Sequence, residues 1–183
     1  NLGNTVPNVL NNAVTSGKTE AAASAIAVAN GRGQTTAAAD ALVQQFGRYG
    51  RTQSVAEAFA LAAGNNAVAT ARVLSQTASR ARSLGYINQF ARSQADAFVA
   101  ARRRGRIYGY SDAVAQAIAF GGRDTARAYG VAFATAAAGT SDQQAALAQA
   151  TAVAFCQGGA NSRAFAQAYA EALTVDPYTG CTV

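Results

Sequence analysis

The stretch from residue 160 to residue 173 alternates alanine with other residues, in the order A-N-S-R-A-F-A-Q-A-Y-A-E-A-L. Such alternation is typical of a β-strand, but the positions of the large apolar residues indicate a helix. Phe165, Tyr169 and Leu173 lie four residues apart, which places them on one side of a helix. Alanine fills many of the other positions, and alanine favours helices over strands. The sequence therefore predicts a short alanine-rich helix here, preceded by a pair of glycines.

Helices of the same kind recur along the chain, each with one or two large apolar residues and each bounded by glycine. The breaks fall roughly every 14 to 22 residues, which is looser than the register of strict solenoid repeats. We therefore predict an all-α fold, a compact bundle of about nine or ten short helices in a single domain over residues 1–183. Duplication of helix pairs is one origin of such a pattern, and a helical superhelix is the alternative architecture.

The large residues within these helices predict the core. Tyr129 and Phe133 lie four apart on one helix, and a later helix has Leu147, Thr151 and Phe155 as its expected inward stripe. The glycine pairs, such as Gly121-Gly122, follow helices and not strands. They indicate helix ends, because a dinucleotide or phosphate loop would follow a strand.

Histidine is absent from the chain, which removes the commonest general base and the commonest metal ligand. The acidic residues are Glu20, Asp40, Glu57, Asp96, Asp112, Asp124, Asp142, Glu171 and Asp176. Four of them (Glu20, Asp112, Asp124 and Asp142) stand near predicted helix starts, where a carboxylate offsets the helix dipole. A glycosidase needs two carboxyls as an acid–base pair, and nothing in the sequence selects a pair. We therefore expect no catalytic residues, no cofactor and no metal, with an unidentified enzymatic activity as the alternative.

Two cysteines, Cys156 and Cys181, lie near the C-terminus of a chain in which only 13% of residues are charged. An even count in this setting favours a secreted, extracellular protein with one disulfide. The bond would tie back the tail over residues 174–183, and closing about 25 residues would stabilise the fold by about 3 kcal/mol. Two unrelated buried thiols are the alternative. No apolar run reaches the length of a membrane span, and a signal peptide is expected to have been removed.

The net charge is +6, and Lys18 is the single lysine among the 15 basic residues. Arginine bias of this kind is typical of phosphate or carboxylate recognition. It also arises from coding composition, because alanine, glycine and arginine are enriched together here.

The most basic segment reads R-R-R-G-R-I-Y-G-Y. Its candidate interaction residues are Arg102, Arg103, Arg104, Arg106, Tyr108 and Tyr110. Guanidinium groups beside aromatic rings suit polyanion or nucleic-acid binding, and they suit cation–π pairs within one fold or between copies. A solvated helix end is the third interpretation, since cations are favourable near the last carbonyls of a helix.

Several strings have a common character: S-A-I-A-V-A (24–29), A-E-A-F-A-L-A (56–62), A-Q-A-I-A-F (115–120) and A-F-A-Q-A-Y-A-E-A-L (164–173). They resemble the helical repeat or spacer domains of spider silk proteins, from which this chain differs by its two cysteines and fourteen arginines. The resemblance implies a small helical bundle with an extracellular structural or assembly role and no catalytic residues.

Two hypotheses of function follow. The first is a secreted, non-enzymatic structural or assembly protein whose partners are copies of itself or other structural proteins. The second is a polyanion- or nucleic-acid-binding module that uses the Arg-rich segment from Arg102 to Tyr110. Binding of ice or of another surface through flat Ala/Thr faces is a further idea, but the threonines show no regular spacing.

Overall fold

The computed structural model of the protein describes residues 5–174, without the side chains of residue 161 and of residues 170–174. The helices in this range are α1 Val6–Thr15, α2 Thr19–Ala29, α3 Thr35–Val43, a π-helical segment Gln44–Arg48, α4 Thr52–Asn65, α5 Ala67–Leu84, α6 Ile87–Arg103, α7 Ile107–Ala137, α8 Ser141–Gln157 and α9 Gly159–Thr174. Residues 5–174 contain no strand. The predicted all-α fold is therefore confirmed, and the alternating stretch near the C-terminus is helical.

The longest helix, α7, consists of two rods that meet at Gly122. This glycine has φ 66° and ψ −146°, a conformation that residues other than glycine rarely adopt. A Cβ atom on the neighbouring Gly121 would overlap the side chain of Thr125. The helix break predicted at this glycine pair is thus present, as a kink without a loop. The described residues therefore contain nine α-helices, or ten straight helical rods if the two parts of α7 are counted separately.

The helices pack in a regular order, because each one contacts the helix two places further along the chain. One row contains α1, α3, α5, α7 and α9, and the other contains α2, α4, α6 and α8. Contacts such as α1 with α2, α6 with α7 and α7 with α8 join the two rows. This is the packing of stacked helix pairs, as in repeat proteins. One continuous core nevertheless extends from Val6 to Ala168.

Five of the turns between helices share one geometry, the Schellman motif. They are centred on Gly17, Gly33, Gly50, Gly85 and Gly105, whose φ values lie between 66° and 82°. In the last of them the N–H of Arg106 donates to the carbonyl of Ala101, five residues earlier, at 2.7 Å. At the Gly50 turn the N–H of Arg51 donates to the carbonyl of Gln45, six residues earlier, because the π-helical segment contains one additional residue. The helix ends predicted near Gly17, Gly33, Gly50 and Gly85 are confirmed.

Aromatic rings form a continuous line through the core. Phe90 contacts Tyr129 edge-on with ring centroids 5.3 Å apart, and Phe133 stacks on Phe165 at 5.2 Å. Tyr129 and Phe133 are themselves neighbours at 6.1 Å, as their spacing predicts. Alanines occupy most of the other buried positions, and small side chains of this kind allow neighbouring helix axes to approach closely.

The stripe predicted for α8 is wrong at Phe155. Helix α8 buries Leu147, Ala150 and Ala154, whereas Phe155 is 45% exposed. Residues spaced strictly by four turn gradually away from a core, since a helix has 3.6 residues per turn. The buried set alternates steps of three and four and therefore stays on one side, which leaves Phe155 on the surface.

Candidate functional sites

The Arg-rich segment lies at the C-terminal end of α6 and continues through the Gly105 turn. All four of its arginines are exposed. The guanidinium of Arg104 lies 3.1 Å from the carboxylate of Glu57 on α4, and that of Arg103 lies 3.7 Å from Asp142 on α8. Arg106 packs over Gly64 and donates to its carbonyl at 3.5 Å. The segment therefore joins the end of α6 to α4 and α8.

The two tyrosines of this segment have different environments. Tyr108 is 61% exposed, but Tyr110 is completely buried. The hydroxyl of Tyr110 donates to the amide oxygen of Gln94, which also accepts from Tyr129 at 3.1 Å. Burial raises the pKa of the Tyr110 hydroxyl well above its usual range.

Placing Tyr110 in an interaction patch was therefore wrong. It lies three positions after the buried Ile107 and four before the buried Val114, so it faces the core side of α7. The candidate patch keeps its four arginines and one ring, that of Tyr108. Gln94 lies four residues after Phe90 and four before Phe98, a spacing that predicts it on the same side of the helix, but the sequence does not show that its partners are two tyrosines.

Cys156 is exposed on α8 and lines a mainly apolar hollow of about 360 Å³. The other residues of the hollow are Tyr108, Gln149, Ala152, Val153 and Gln157. The alternative of two buried thiols is thus wrong for Cys156. Cys181 and the tail from residue 175 onward lie outside the described residues, so the Cys156–Cys181 disulfide and the tied-back tail remain predictions.

The surface of α8 next to this hollow has an unusual composition. Its exposed residues in the C-terminal half are Ala148, Gln149, Ala152, Phe155 and Cys156, and these five residues define the α8 outer face. Helix α8 has no charged residue after Asp142. The α8 outer face therefore offers apolar and amide groups to solvent without an ionised group.

A larger groove of about 680 Å³ lies between α1, α3 and the π-helical segment, and we call it the α1–α3 groove. It is lined by Pro7, Asn11, Thr15, Ala37, Asp40, Ala41, Gln44, Gln45, Tyr49 and Arg51. Gln45 is only 3% exposed, and its amide group is bonded at both ends. Its nitrogen donates to Asn11 at 3.0 Å, and its oxygen accepts from Arg51 at 2.9 Å.

Two charged side chains of the α1–α3 groove have different partners. Asp40 pairs with the guanidinium of Arg80 on α5 at 2.6 Å. The guanidinium carbon of Arg51 lies 5.0 Å from the ring centroid of Tyr49, and Arg48 lies 5.7 Å from the same ring. Arg51 makes no ion pair with any residue between 5 and 174. The sequence contained a signal for this site, because G-R-Y-G-R around Tyr49 resembles the arginine–glycine–tyrosine pattern of the segment after Arg102.

A third hollow, of about 310 Å³, contains the carboxyls of Asp96 and Asp142. Burial raises the pKa of Asp96, against the opposing effect of a hydrogen bond from Gln143. The described residues contain no group of three or more Cys, Asp or Glu side chains that could hold a metal ion. None of the helices in residues 5–174 is long and apolar enough to cross a membrane.

Comparison with known proteins adds no relative from which a function could be transferred. No protein-family model, no curated protein and no solved structure matches the chain.

Proposed function

We propose that this protein is a secreted, non-enzymatic structural or assembly component, and that copies of it associate through the α8 outer face together with Tyr108. The observation that carries the proposal is the exposure of two large rings, Phe155 at 45% and Tyr108 at 61%, beside an uncharged helix surface. Apolar surface of this kind is typical of a protein–protein contact.

A second copy of the same chain is the partner that fits this surface best. With a net charge of +6, two copies repel each other when their charged surfaces meet. An uncharged face meets itself across a two-fold axis without that repulsion. Alanine and glutamine at the centre of the face also allow close approach of two helices, in the same way as the alanines within the fold.

The structural role and the secretion are supported by the sequence. The absence of histidine, the resemblance to the helical domains of spider silk proteins and the pair of cysteines agree with an extracellular component that binds and does not catalyse. The mass of the native protein before and after reduction tests the compartment. A gain of two hydrogens on reduction supports a Cys156–Cys181 disulfide, and an unchanged mass contradicts it.

Self-association is tested by sedimentation equilibrium over a range of concentrations. We expect the wild-type protein to form dimers or larger assemblies. Phe155→Glu should be monomeric, because association would bury an unpaired carboxylate in the contact. The matched control is Val28→Glu, which places the same charge on a residue of 40% exposure on α2, a helix that packs against α1, α4 and α5.

Two results would contradict the proposal. One is a wild-type protein that is monomeric at every concentration. The other is a Val28→Glu variant that loses association as fully as Phe155→Glu, since the effect would then report net charge and not the α8 outer face. Circular dichroism of both variants confirms that their helices are intact.

A further inference from the structure

We infer that the α1–α3 groove binds an acidic saccharide, with Arg51 as the residue that receives the carboxylate. This inference does not depend on self-association, since the groove lies between α1, α3 and the π-helical segment, whereas α8 packs against α6, α7 and α9.

The side chain of Arg51 is held in position before any ligand arrives. One guanidinium nitrogen donates to the buried amide of Gln45, and the guanidinium plane lies near the ring of Tyr49. Gln45 is fixed in turn by Asn11. A guanidinium that is fixed in this way loses little freedom on binding, and its planar set of donors matches a carboxylate.

Charge compensation within the groove is incomplete. Asp40 is the one carboxylate among the lining residues, and Arg80 lies against it at 2.6 Å. Arg51 has no ion-pair partner in the part of the chain that the structure describes, and the exposed Arg48 stands beside it near the same ring. The groove therefore favours an anionic ligand.

The other residues that line the groove indicate the chemical class of the rest of the ligand. Asn11, Gln44 and Thr15 offer both donors and acceptors, and Asp40 offers acceptors, whereas Pro7 and two alanines give small apolar surfaces. Mixed amide, hydroxyl and carboxylate groups match the hydroxyls of a sugar. Base stacking by a nucleic acid would have to compete with Arg48 and Arg51 for the ring of Tyr49, which is 53% exposed.

The π-helical segment is what creates this arrangement. π-Helical turns are rare and occur frequently at functional sites. In the segment Gln44–Arg48 the side chain of Gln45 is buried, and the segment ends just before Tyr49. Gly47 on the same segment lies so close to the ring of Tyr86 that a Cβ atom would be 2.5 Å from it. The site is therefore built by the backbone as well as by side chains.

The test is titration calorimetry of the purified chain with a short oligogalacturonate. The fully methyl-esterified form of the same oligomer is the ligand control, because it keeps the sugar and removes the charge. We expect the acid form to bind and the ester to bind at least about tenfold more weakly, as expected for the loss of a charge-assisted hydrogen bond. Inorganic phosphate, added as a competitor to the complex, should not displace the oligomer.

Arg51→Gln should lose about tenfold or more in affinity for the acid form. The matched control is Arg163→Gln, which removes the same charge from α9, a helix that packs against α7 and α8, and should bind as the wild type does. Phe155→Glu should also bind as the wild type does, which separates this site from self-association.

The inference would be overturned if the wild-type protein bound neither form of the oligomer. It would also be overturned if acid and ester bound equally, if phosphate displaced the oligomer, or if Arg163→Gln weakened binding as much as Arg51→Gln. The comparison of the acid and ester forms uses the wild-type protein alone, so this part of the test does not depend on the folding of a variant.

Discussion

The turns at Gly50 and Gly105 have the same local design and different consequences. Each is a Schellman turn in which an arginine directly follows the glycine, and in each the N–H of that arginine closes the turn. Arg106 lies over Gly64 and covers backbone, whereas Arg51 lines a groove and is held by Gln45. The same arginine-rich turn therefore places its arginine against backbone in one case and in a groove in the other.

The difference between the two turns lies in what precedes them. An α-helix leads into the Gly105 turn, and the π-helical segment leads into the Gly50 turn. The additional residue of the π segment coincides with the burial of Gln45 and with a groove next to Arg51. Two of the three arginines at the end of α6 instead meet carboxylates of neighbouring helices.

Substitution of the glycines near the two turns should have the largest effect on the free energy of unfolding. Gly47→Ala places a Cβ atom 2.5 Å from the ring of Tyr86, so we expect a loss of about 1–3 kcal/mol in the free energy of unfolding. Gly109→Ala meets the carbonyl oxygen of Ala63 at 3.1 Å and should lose less, because alanine also favours the helix. Urea unfolding measures the free energy of unfolding of both variants. Equal losses in the two variants would contradict the tighter packing that we assign to the π segment.

The turn glycines themselves give an intermediate effect. Gly50→Ala and Gly105→Ala each force a Cβ atom into a left-handed conformation, and each should cost about 1–2 kcal/mol. Only Gly50→Ala should also weaken oligogalacturonate binding, because it displaces Arg51. If Gly105→Ala weakened that binding to the same degree, the two turns would not differ in function as we infer.

Replacement of Arg102, Arg103 and Arg104 together by alanine should have the smallest effect. Three of the four side chains in these ion pairs are at least 40% exposed, so we expect a loss of stability below about 1 kcal/mol for each pair. Oligogalacturonate affinity should stay close to that of the wild type. The polyanion hypothesis for this segment predicts instead a salt-sensitive binding of heparin that the triple variant loses, and that result would restore the segment as a binding site.

Much of the fold could be predicted because helix signals are local. The four-residue spacing of Tyr129 and Phe133, and the glycines that end helices, are properties of short segments, and both predictions are confirmed. The assignment of Phe155 to the core was wrong, since a stripe is a property of the whole helix and depends on its rotation against its neighbours.

The candidate sites could be predicted only in part. The sequence identified arginines next to tyrosines, but it could not distinguish a tyrosine that faces the core, such as Tyr110, from one that faces solvent, such as Tyr108. The residues of the α1–α3 groove come from α1, α3, the π segment and the turn after it, so no local pattern unites them.

Helix propensity and left-handed turns depend on neighbouring residues alone, so the sequence is enough to predict a set of alanine-rich helices that end at glycines. The packing of the helices was needed to show which side of each helix is buried, that the π segment brings Gln45 to Asn11 and Arg51, and that Phe155 remains at the surface. The physical reason is that burial and hydrogen bonding between distant residues depend on how complete helices pack together.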